Sequence, residues 1–525
     1  MAKLLPCIRP PVPSLSGLAL VGVLLATTSA GLMGQNVPDK RIRQVMGRPE
    51  FAHALWGMAF YDLDAKKTLF GVNPERLFVP GSTTKLLTVG TALELLGQDH
   101  RFHTRVYRTG PVEDGVVDGD LVLVAGGDPN LSGRERPDGT YAFIDHDHSY
   151  GGPPLDTDPL TVIRELARQV ASHGIHTVTG QVLVDATLFR EGDREGGTGV
   201  TMSPMVINDN VIDIVVKPGA RAGDPAIVTV SPKTSYLTVF AHVVTADSGK
   251  AASLHTVEDS TDASHRTLVM SGSVPVGPAL NRRWRVPVPS RFGEVVLVEA
   301  LNEAGVRAIP RLGARRVDFA ELAKGYADSL VVAEHISLPL SAEAPVVLKT
   351  SQNLHASNLP LLLGSLPAAR DSAKTGFDLE NAWLTGAGLN LDGAMQGDGA
   401  GAIAMFSPDF ITHYLAVAAA RPWGTVFHDA LPILGTDGTL AEIQVGSPAA
   451  GQVHAKTGTY GVYDPLHRRL LITGKGLAGY MTTKSGRHVA FAIYLNHFEA
   501  DVPDPATVAG QALGEISAIA WEVIR

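Results

Sequence analysis

The sequence predicts an α+β / α/β multidomain protein whose first domain is interrupted by an insertion. Three observations predict it. The 525 residues exceed one ordinary domain and leave room for about two or three. Gly 55 and Pro 34 imply many turns, not a helical bundle, and 45% hydrophobic residues suffice for packed cores. The texture of the chain also changes twice. At about Phe102 it passes into short β-like runs split by Gly, Pro and Asp, and at about Asp318 into longer helical stripes followed by strands.

In chain order, the N-terminus reads as an export signal of about residues 1–30. Lys3 and Arg9 form a positive start, LALVGVLLA (Leu18 to Ala26) an apolar run, and TTSAG (Thr27 to Gly31) a small-residue cleavage site. An uncleaved anchor helix is the alternative, but the run is short for a span of about 20 residues. Export implies a periplasmic location. The single cysteine, Cys7, lies inside this signal, so the mature chain would carry no thiol, disulfide or zinc–cysteine site.

WGMAFYDLDAKKTLFGVN, from Trp56, alternates around DLDAKK and predicts a hairpin. A helix follows over about Thr83 to Leu96, with Leu86, Leu87, Val89, Ala92, Leu93, Leu95 and Leu96 as its stripe and Gly97 as its stop. LVLVAG (Leu121 to Gly126), TGQVLVD (Thr179 to Asp185), VIDIVVKPG (Val211 to Gly219) and AIVTVS (Ala226 to Ser231) read as strands. Pro159 to Gly174 and Gly293 to Gly305 read as helices. We expect 106–317 to be an inserted region of one or two α+β modules, the second nested at about 187–270. The flanks, 31–105 and 318–525, would form one discontinuous domain. It would close with a strand at His488 to Asn496 and a helix at Ala506 to Ile524.

The chemistry is concentrated in three short motifs. In FVPGSTTKLLT, Ser82 follows Pro80 and Gly81 at a helix start, where unpaired N–H groups and the macrodipole favour negative charge. Lys85 is three positions on, and positions i and i+3 share a helix face. A lysine there can take the serine proton if burial or nearby positive charge lowers its pKa. Alone, the pair could equally be an N-cap and a solvated lysine. Ser351-Gln352-Asn353 and Lys456-Thr457-Gly458 complete the order S-x-x-K, S-x-N, K-T-G. A second K-T-G, Lys374-Thr375-Gly376, sits in a polar, loop-like context soon after Asn353, and is read as a chance copy.

The roles follow from the residue types. Ser82 would attack a carbonyl and form an ester, with Lys85 as general base. Ser351 would pass the proton towards the leaving amine, and Asn353 would hold Lys85 and the substrate amide. Lys456 and Thr457 suit a substrate carboxylate, and Gly458 admits an extended substrate beside the strand. The N–H groups of Ser82 and Thr459 would form the oxyanion hole.

Together these residues resemble the D-alanyl-D-alanine carboxypeptidase/endopeptidase family, the class C low-molecular-mass penicillin-binding proteins. RLFVPGSTTKLLTVGTALELLG resembles its nucleophile segment, and GDLVLVAGGDPNLS (Gly119 to Ser132) the opening of its insert. LPILGTDGTL (Leu431 to Leu440) and LAGYMTTKSGRHVAFAIYLN (Leu477 to Asn496) resemble the segments on either side of its third motif. The long separation of Ser82 from Ser351 also fits a family that inserts domains there. The resemblance implies a penicillin-recognising, transpeptidase-like (β-lactamase-like) domain with an antiparallel sheet flanked by helices. It implies serine-type hydrolysis of the D-Ala-D-Ala end of peptidoglycan stem peptides, with DD-endopeptidase action as a second activity. β-Lactams would act as covalent inhibitors, no cofactor or metal would be needed, and the chain could adhere peripherally to membrane or wall. Position 352 is Gln where the family usually has Asp. GDGAGAIAMFSP (Gly397 to Pro408) matches the family's Gly-Ser-Gly segment only loosely, and 460–476 adds a loop or hairpin beside the third motif.

Other readings are weaker. The net charge of −9, with no basic run, argues against a nucleic-acid partner. There is no G-x-S-x-G elbow for a Ser-His-acid hydrolase. FIDHDHS (Phe143 to Ser149) could be called a metal cluster, but reads as a solvated loop of the insert. A β-lactamase or esterase would need an added base, and a catalytically dead peptidoglycan-binding protein would not need all five of Ser82, Lys85, Ser351, Asn353 and Lys456.

Overall fold

The computed structural model describes residues 39–259, 265–310 and 317–525. The expected signal segment and Cys7 lie outside them.

The first domain is built on a five-stranded sheet. Across it run Val453–Asp464, Arg469–Thr482, His488–Phe498, Leu55–Asp62 and Lys67–Val72, each antiparallel to its neighbours. The last two form the hairpin expected around DLDAKK. In His488–Phe498 nearly every residue is apolar, because both faces of the sheet are covered. Side chains alternate between faces along a strand. Val489, Phe491, Ile493 and Leu495 enter one core with helices Lys40–Met46 and Pro505–Val523. Ala490, Ala492 and Tyr494 enter another, under helices Lys85–Leu96, Asn353–Gly364 and Pro408–Ala419.

Lys85–Leu96 is buried on all sides through Leu93, which makes it the central helix of the domain. Its buried hydroxyls are satisfied: Thr88 donates to the Gly399 carbonyl at 2.8 Å and Thr91 to the Glu380 carboxyl at 3.1 Å. The helix expected from about Thr83 starts differently. Gly81–Thr84 is a 3-10 turn that runs into the α-helix at Lys85.

The insert has its own core. Val331–Ile336, His103–Arg108, Leu121–Val124 and Val182–Asp185 form a four-stranded sheet, antiparallel except for the last pair. The parallel pair is joined through helix Thr161–Ser172, which packs with Pro289–Glu303 on that core. Two three-stranded sheets follow. One orders Ile227–Ser231, Val211–Lys217 and Leu280–Arg285; the other orders Leu237–Ala246, Arg266–Pro275 and Ser253–Asp259. The chain enters and leaves this region side by side: Phe102 N–H donates to the Ser337 hydroxyl at 2.9 Å, and Ser337 N–H to the Phe102 carbonyl at 3.0 Å.

The 460–476 stretch is a hairpin, not a loop. It extends the edge strand Val453–Asp464 and its neighbour Arg469–Thr482 to a turn between Asp464 and Arg469.

Phe491 is fully buried and stacks on Phe60 at 5.8 Å. Phe491→Ala should lower unfolding stability by about 3–5 kcal/mol, read by denaturant unfolding; a loss well under 1 kcal/mol would mean this core does not carry the domain.

Candidate active site

Two glycines let two backbones touch. Gly81 has φ +53, and a Cβ on it would lie 2.6 Å from the Thr459 nitrogen. A Cβ on Gly458 would lie 2.0 Å from the Pro80 carbonyl oxygen. The turn carrying Ser82 is thereby pressed against the strand Val453–Asp464, an edge of the sheet. This contact brings the N–H groups of Ser82 and Thr459 into one neighbourhood.

The Lys85 ammonium is fully buried, and its three donors are matched by three acceptors. It donates to the Ser82 hydroxyl at 2.8 Å, Asn353 Oδ1 at 2.6 Å and the Ala400 carbonyl at 3.2 Å. Ser82 is thus not an idle cap; its hydroxyl faces a lysine. Burial lowers the Lys85 pKa to about 8, against the pull of Asp147, Glu195 and Asp398. An amine near that value can accept a hydroxyl proton at neutral to mildly alkaline pH.

Ala400 is presented by the glycine-rich turn that matched the expected pattern only loosely. The Asp398 carboxylate accepts N–H bonds from Ala400 at 2.8 Å, Ala402 at 3.2 Å and Ile403 at 2.5 Å, and a further one from Gly401. Gly401, at φ +104, passes so close to the Ser82 turn that a Cβ would meet the Gly81 carbonyl oxygen at 2.0 Å. Asp398 and Ala400 were not legible as site residues, because one only accepts from the N–H groups of its own turn and the other acts through its carbonyl.

Ser351 adopts the left-handed region at φ +64, directly before helix Asn353–Gly364. Gln352 caps that helix, its Oε1 accepting from Leu354 N–H at 2.7 Å and His355 N–H at 3.4 Å. Glutamine's carbonyl can thus do what a carboxylate would do at this position. Lys456 is fully buried and donates to the Thr457 carbonyl at 2.9 Å. Burial, then the nearby Lys85 and Lys475, hold its pKa well below the usual lysine value. The Thr457 hydroxyl donates to Thr439 at 2.7 Å, and Lys475 donates to the Thr459 hydroxyl at 2.7 Å. The other K-T-G copy is elsewhere: Lys374 is exposed, and Thr375 forms a capping box with Asp378 at the head of Gly376–Gly386.

A cleft of about 500 Å³ opens over these groups, lined by Ser82, Ser351, Asn353, Thr457, Thr459 and Leu470 among others. One wall belongs to the insert, and here an expectation fails. FIDHDHS is not a solvated loop, since Asp147, His148 and Ser149 are buried. His148 bridges Asp209 and Asp213, both at 2.9 Å. Arg134 meets Asp209 through two bonds of 2.7 Å. His355, in the first turn of the Asn353 helix, joins Asp209 at 2.9 Å and Glu343 at 2.8 Å. Burial disfavours the His355 charge, but Glu343 and Asp209 outweigh it and push its pKa up to about 9. Pairing is what buries this segment: histidines and acids leave water when each has a partner. The one sequence signal was NDN at 208–210. Asn and Asp tolerate the left-handed turn seen there, with φ 51, 54 and 53.

A family model described as the D-Ala-D-Ala carboxypeptidase 3 (S13) family matches residues 39–513. A D-alanyl-D-alanine carboxypeptidase of Actinomadura sp. (strain R39) is 27% identical over 487 residues, covering 88% of this chain and 81% of that protein. The D-alanyl-D-alanine carboxypeptidase DacB of Haemophilus influenzae is 22% identical over 460 residues, 84% of this chain and 85% of that protein. The crystal structure of penicillin binding protein 4 (dacB) from Haemophilus influenzae shares the fold, with TM-score 0.69 and 18% identity over 92% of this chain and 99% of that one.

If Lys85 must be neutral to act, acylation of Ser82 by a chromogenic acyl donor should rise with pH through about 8 and then level off. Below that value the amine is protonated and cannot take the serine proton. A rate that is flat from about pH 6 to about pH 9 would remove Lys85 as the base.

Proposed function

The chain belongs to the D-Ala-D-Ala carboxypeptidase 3 (S13) family, and from that premise we propose that it is a serine-type D-alanyl-D-alanine carboxypeptidase acting on peptidoglycan stem peptides through an acyl-enzyme on Ser82. The observation that carries this reading is the dry, three-acceptor seat of Lys85, which joins the first and second motifs at one nitrogen.

An extended peptide would lie along the outer edge of Val453–Asp464, in the manner of an added strand. Its terminal carboxylate would meet the Thr457 and Thr439 hydroxyls, with the Lys456 amine beneath. Lys85 takes the Ser82 proton as Oγ attacks the penultimate D-Ala carbonyl. The developing oxyanion is met by the Ser82 and Thr459 N–H groups. The peptide C–N bond breaks, Ser351 relays the proton held by Lys85 to the leaving nitrogen, D-Ala departs and Lys85 is neutral again. Water, deprotonated by the same lysine, then breaks the ester and restores Ser82. A β-lactam would follow the first half of this course and stall as an ester; a solved Haemophilus relative is described in complex with a β-lactam. The same course on a D-alanyl cross-link would give DD-endopeptidase activity. The esterase-like and purely binding alternatives are not favoured, since Ser82, Ser351, Asn353, Thr457 and Thr459 line one cleft and the buried Lys85 bonds to two of them.

We read the chain as a discontinuous catalytic domain interrupted by an inserted region. The strand pairing of His103–Arg108 with Val331–Ile336 supports boundaries near 103 and 336 in place of 106 and 317. Among the described residues no helix is long and apolar enough to cross a membrane. Export to the periplasm is our reading of residues 1–30.

Intact mass with and without benzylpenicillin tests the nucleophile. Wild type should gain one penicillin and then release D-Ala from a pentapeptide in its absence, while Ser82→Ala should do neither; an adduct on the variant would end the assignment. The two K-T-G copies are separable as well. Lys456→Ala should lower D-Ala release by about a hundredfold or more and Lys374→Ala should leave it unchanged; equal effects would refute the choice of third motif.

A further inference from the structure

The serine–lysine reading leaves one buried acid at the site without a task. Asp147 comes from the inserted region, yet it lies against the second motif. Its Oδ2 accepts the Asn353 N–H at 2.8 Å. Its Oδ1 accepts the Gln352 side-chain amide at 3.2 Å, the Ser149 N–H at 2.9 Å and the Ser149 hydroxyl at 2.5 Å. Three residues on, the Tyr150 hydroxyl accepts from Asn353 Nδ2 at 3.0 Å. The segment 147–150 therefore grips Asn353 at both backbone and side chain. That second grip leaves Asn353 Oδ1, not Nδ2, facing Lys85. Gly197 leaves the room for it: a Cβ there would lie 2.6 Å from both Asn353 Nδ2 and the Tyr150 hydroxyl.

The grip answers a local problem. Ser351 is held in the left-handed region, which a serine does not favour, and the helix begins two residues later. A buried acceptor that takes the Asn353 N–H and the Gln352 amide together closes this turn. Three of the four bonds fall on Oδ1 and one on Oδ2, and all come from Ser149, Gln352 and Asn353, none from Ser82, so Asp147 serves this turn and not the nucleophile directly.

Charge gives a second link. Lys85 is faced by Asp147 from the insert, Glu195 from the neighbouring insert turn, Asp398 from the glycine-rich turn and, with opposite sign, Lys456 from the edge strand. Glu195 is engaged by Gly197 N–H at 2.8 Å and the Thr198 hydroxyl at 2.6 Å, and Asp398 by its own turn. Asp147 alone of the three acids also bonds to the second motif.

We propose that Asp147 is a positioning residue for acylation: its carboxylate locks the Ser351–Asn353 turn so that Asn353 Oδ1 stays on Lys85, and it supplies negative charge behind the Lys85 ammonium. The inserted region thereby completes the catalytic centre. This rests on the reading of Ser82 and Lys85 as nucleophile and base. Burial, joined by the nearby Asp209 charge, raises the Asp147 carboxyl above its usual range, and the Ser149 and Asn353 donors oppose that rise. Removing the Ser149 hydroxyl therefore weakens the same charge without touching Asp147.

The test is the pH profile of the second-order rate of benzylpenicillin acylation, read by intact mass, for wild type, Asp147→Asn and Ser149→Ala. Loss of the negative charge makes Lys85 easier to deprotonate. The acid limb of Asp147→Asn should therefore lie about one pH unit below that of wild type, with a plateau about tenfold lower from the loosened turn. Ser149→Ala should move the limb the same way by less. A purely structural role would lower the plateau and leave the limb in place, and that result overturns the proposal. If Asp147→Asn does not fold, an unmoved limb in Ser149→Ala overturns it equally. A wild type that takes up no penicillin would be a different failure: the serine–lysine reading falls, and this inference with it.

Discussion

An ammonium removed from water needs three acceptors, and the arrangement of this protein follows from meeting that need at Lys85. A buried, unpaired cation would cost several kcal/mol. Here the Ser82 hydroxyl, the Asn353 amide and the Ala400 carbonyl come from three separate stretches of chain and meet at one nitrogen. Each must be held in place by its own surroundings. The same burial that makes the lysine costly makes it a base, since it disfavours the charged form and brings the pKa to about 8.

Close backbone approach is the second constraint. Gly81, Gly401 and Gly458 allow the Ser82 turn to touch both the glycine-rich turn and the edge strand, where a Cβ would meet backbone at 2.0–2.6 Å. The sheet behind them is rigid because both of its faces are packed, so the edge strand can serve as a fixed rail for substrate. Lys85 and Asn353 thus open a buried helix and a capped helix and Lys456 sits on the sheet edge, while Ser82 and Ser351 lie in the turns just before those helices.

The insert is more than an appendage between two motifs. Its buried pairs Arg134–Asp209 and His148–Asp213, and the shared His355–Asp209 contact, tie it to the helix that starts at Asn353. Such paired burial keeps charged groups out of water without leaving any of them alone. It also means that the cleft wall and the second motif are built from two regions distant in sequence.

Some of this was legible from residues alone. The hairpin at DLDAKK, the closing strand and helix, and the order S-x-x-K, S-x-N, K-T-G are local patterns, because periodicity and motif spacing are written in neighbouring residues. Local context also separated Lys456 from Lys374. What escaped were interactions with no local signature. The four donors on Asp147, the carbonyl of Ala400, the salt-bridged histidines and the exact start of the helix at Lys85 depend on which distant segments fold against each other. The sequence by itself determined the three motifs and the class of fold; only the tertiary structure decided which buried acids and carbonyls surround the lysine, because desolvation and hydrogen bonding act across space and not along the chain.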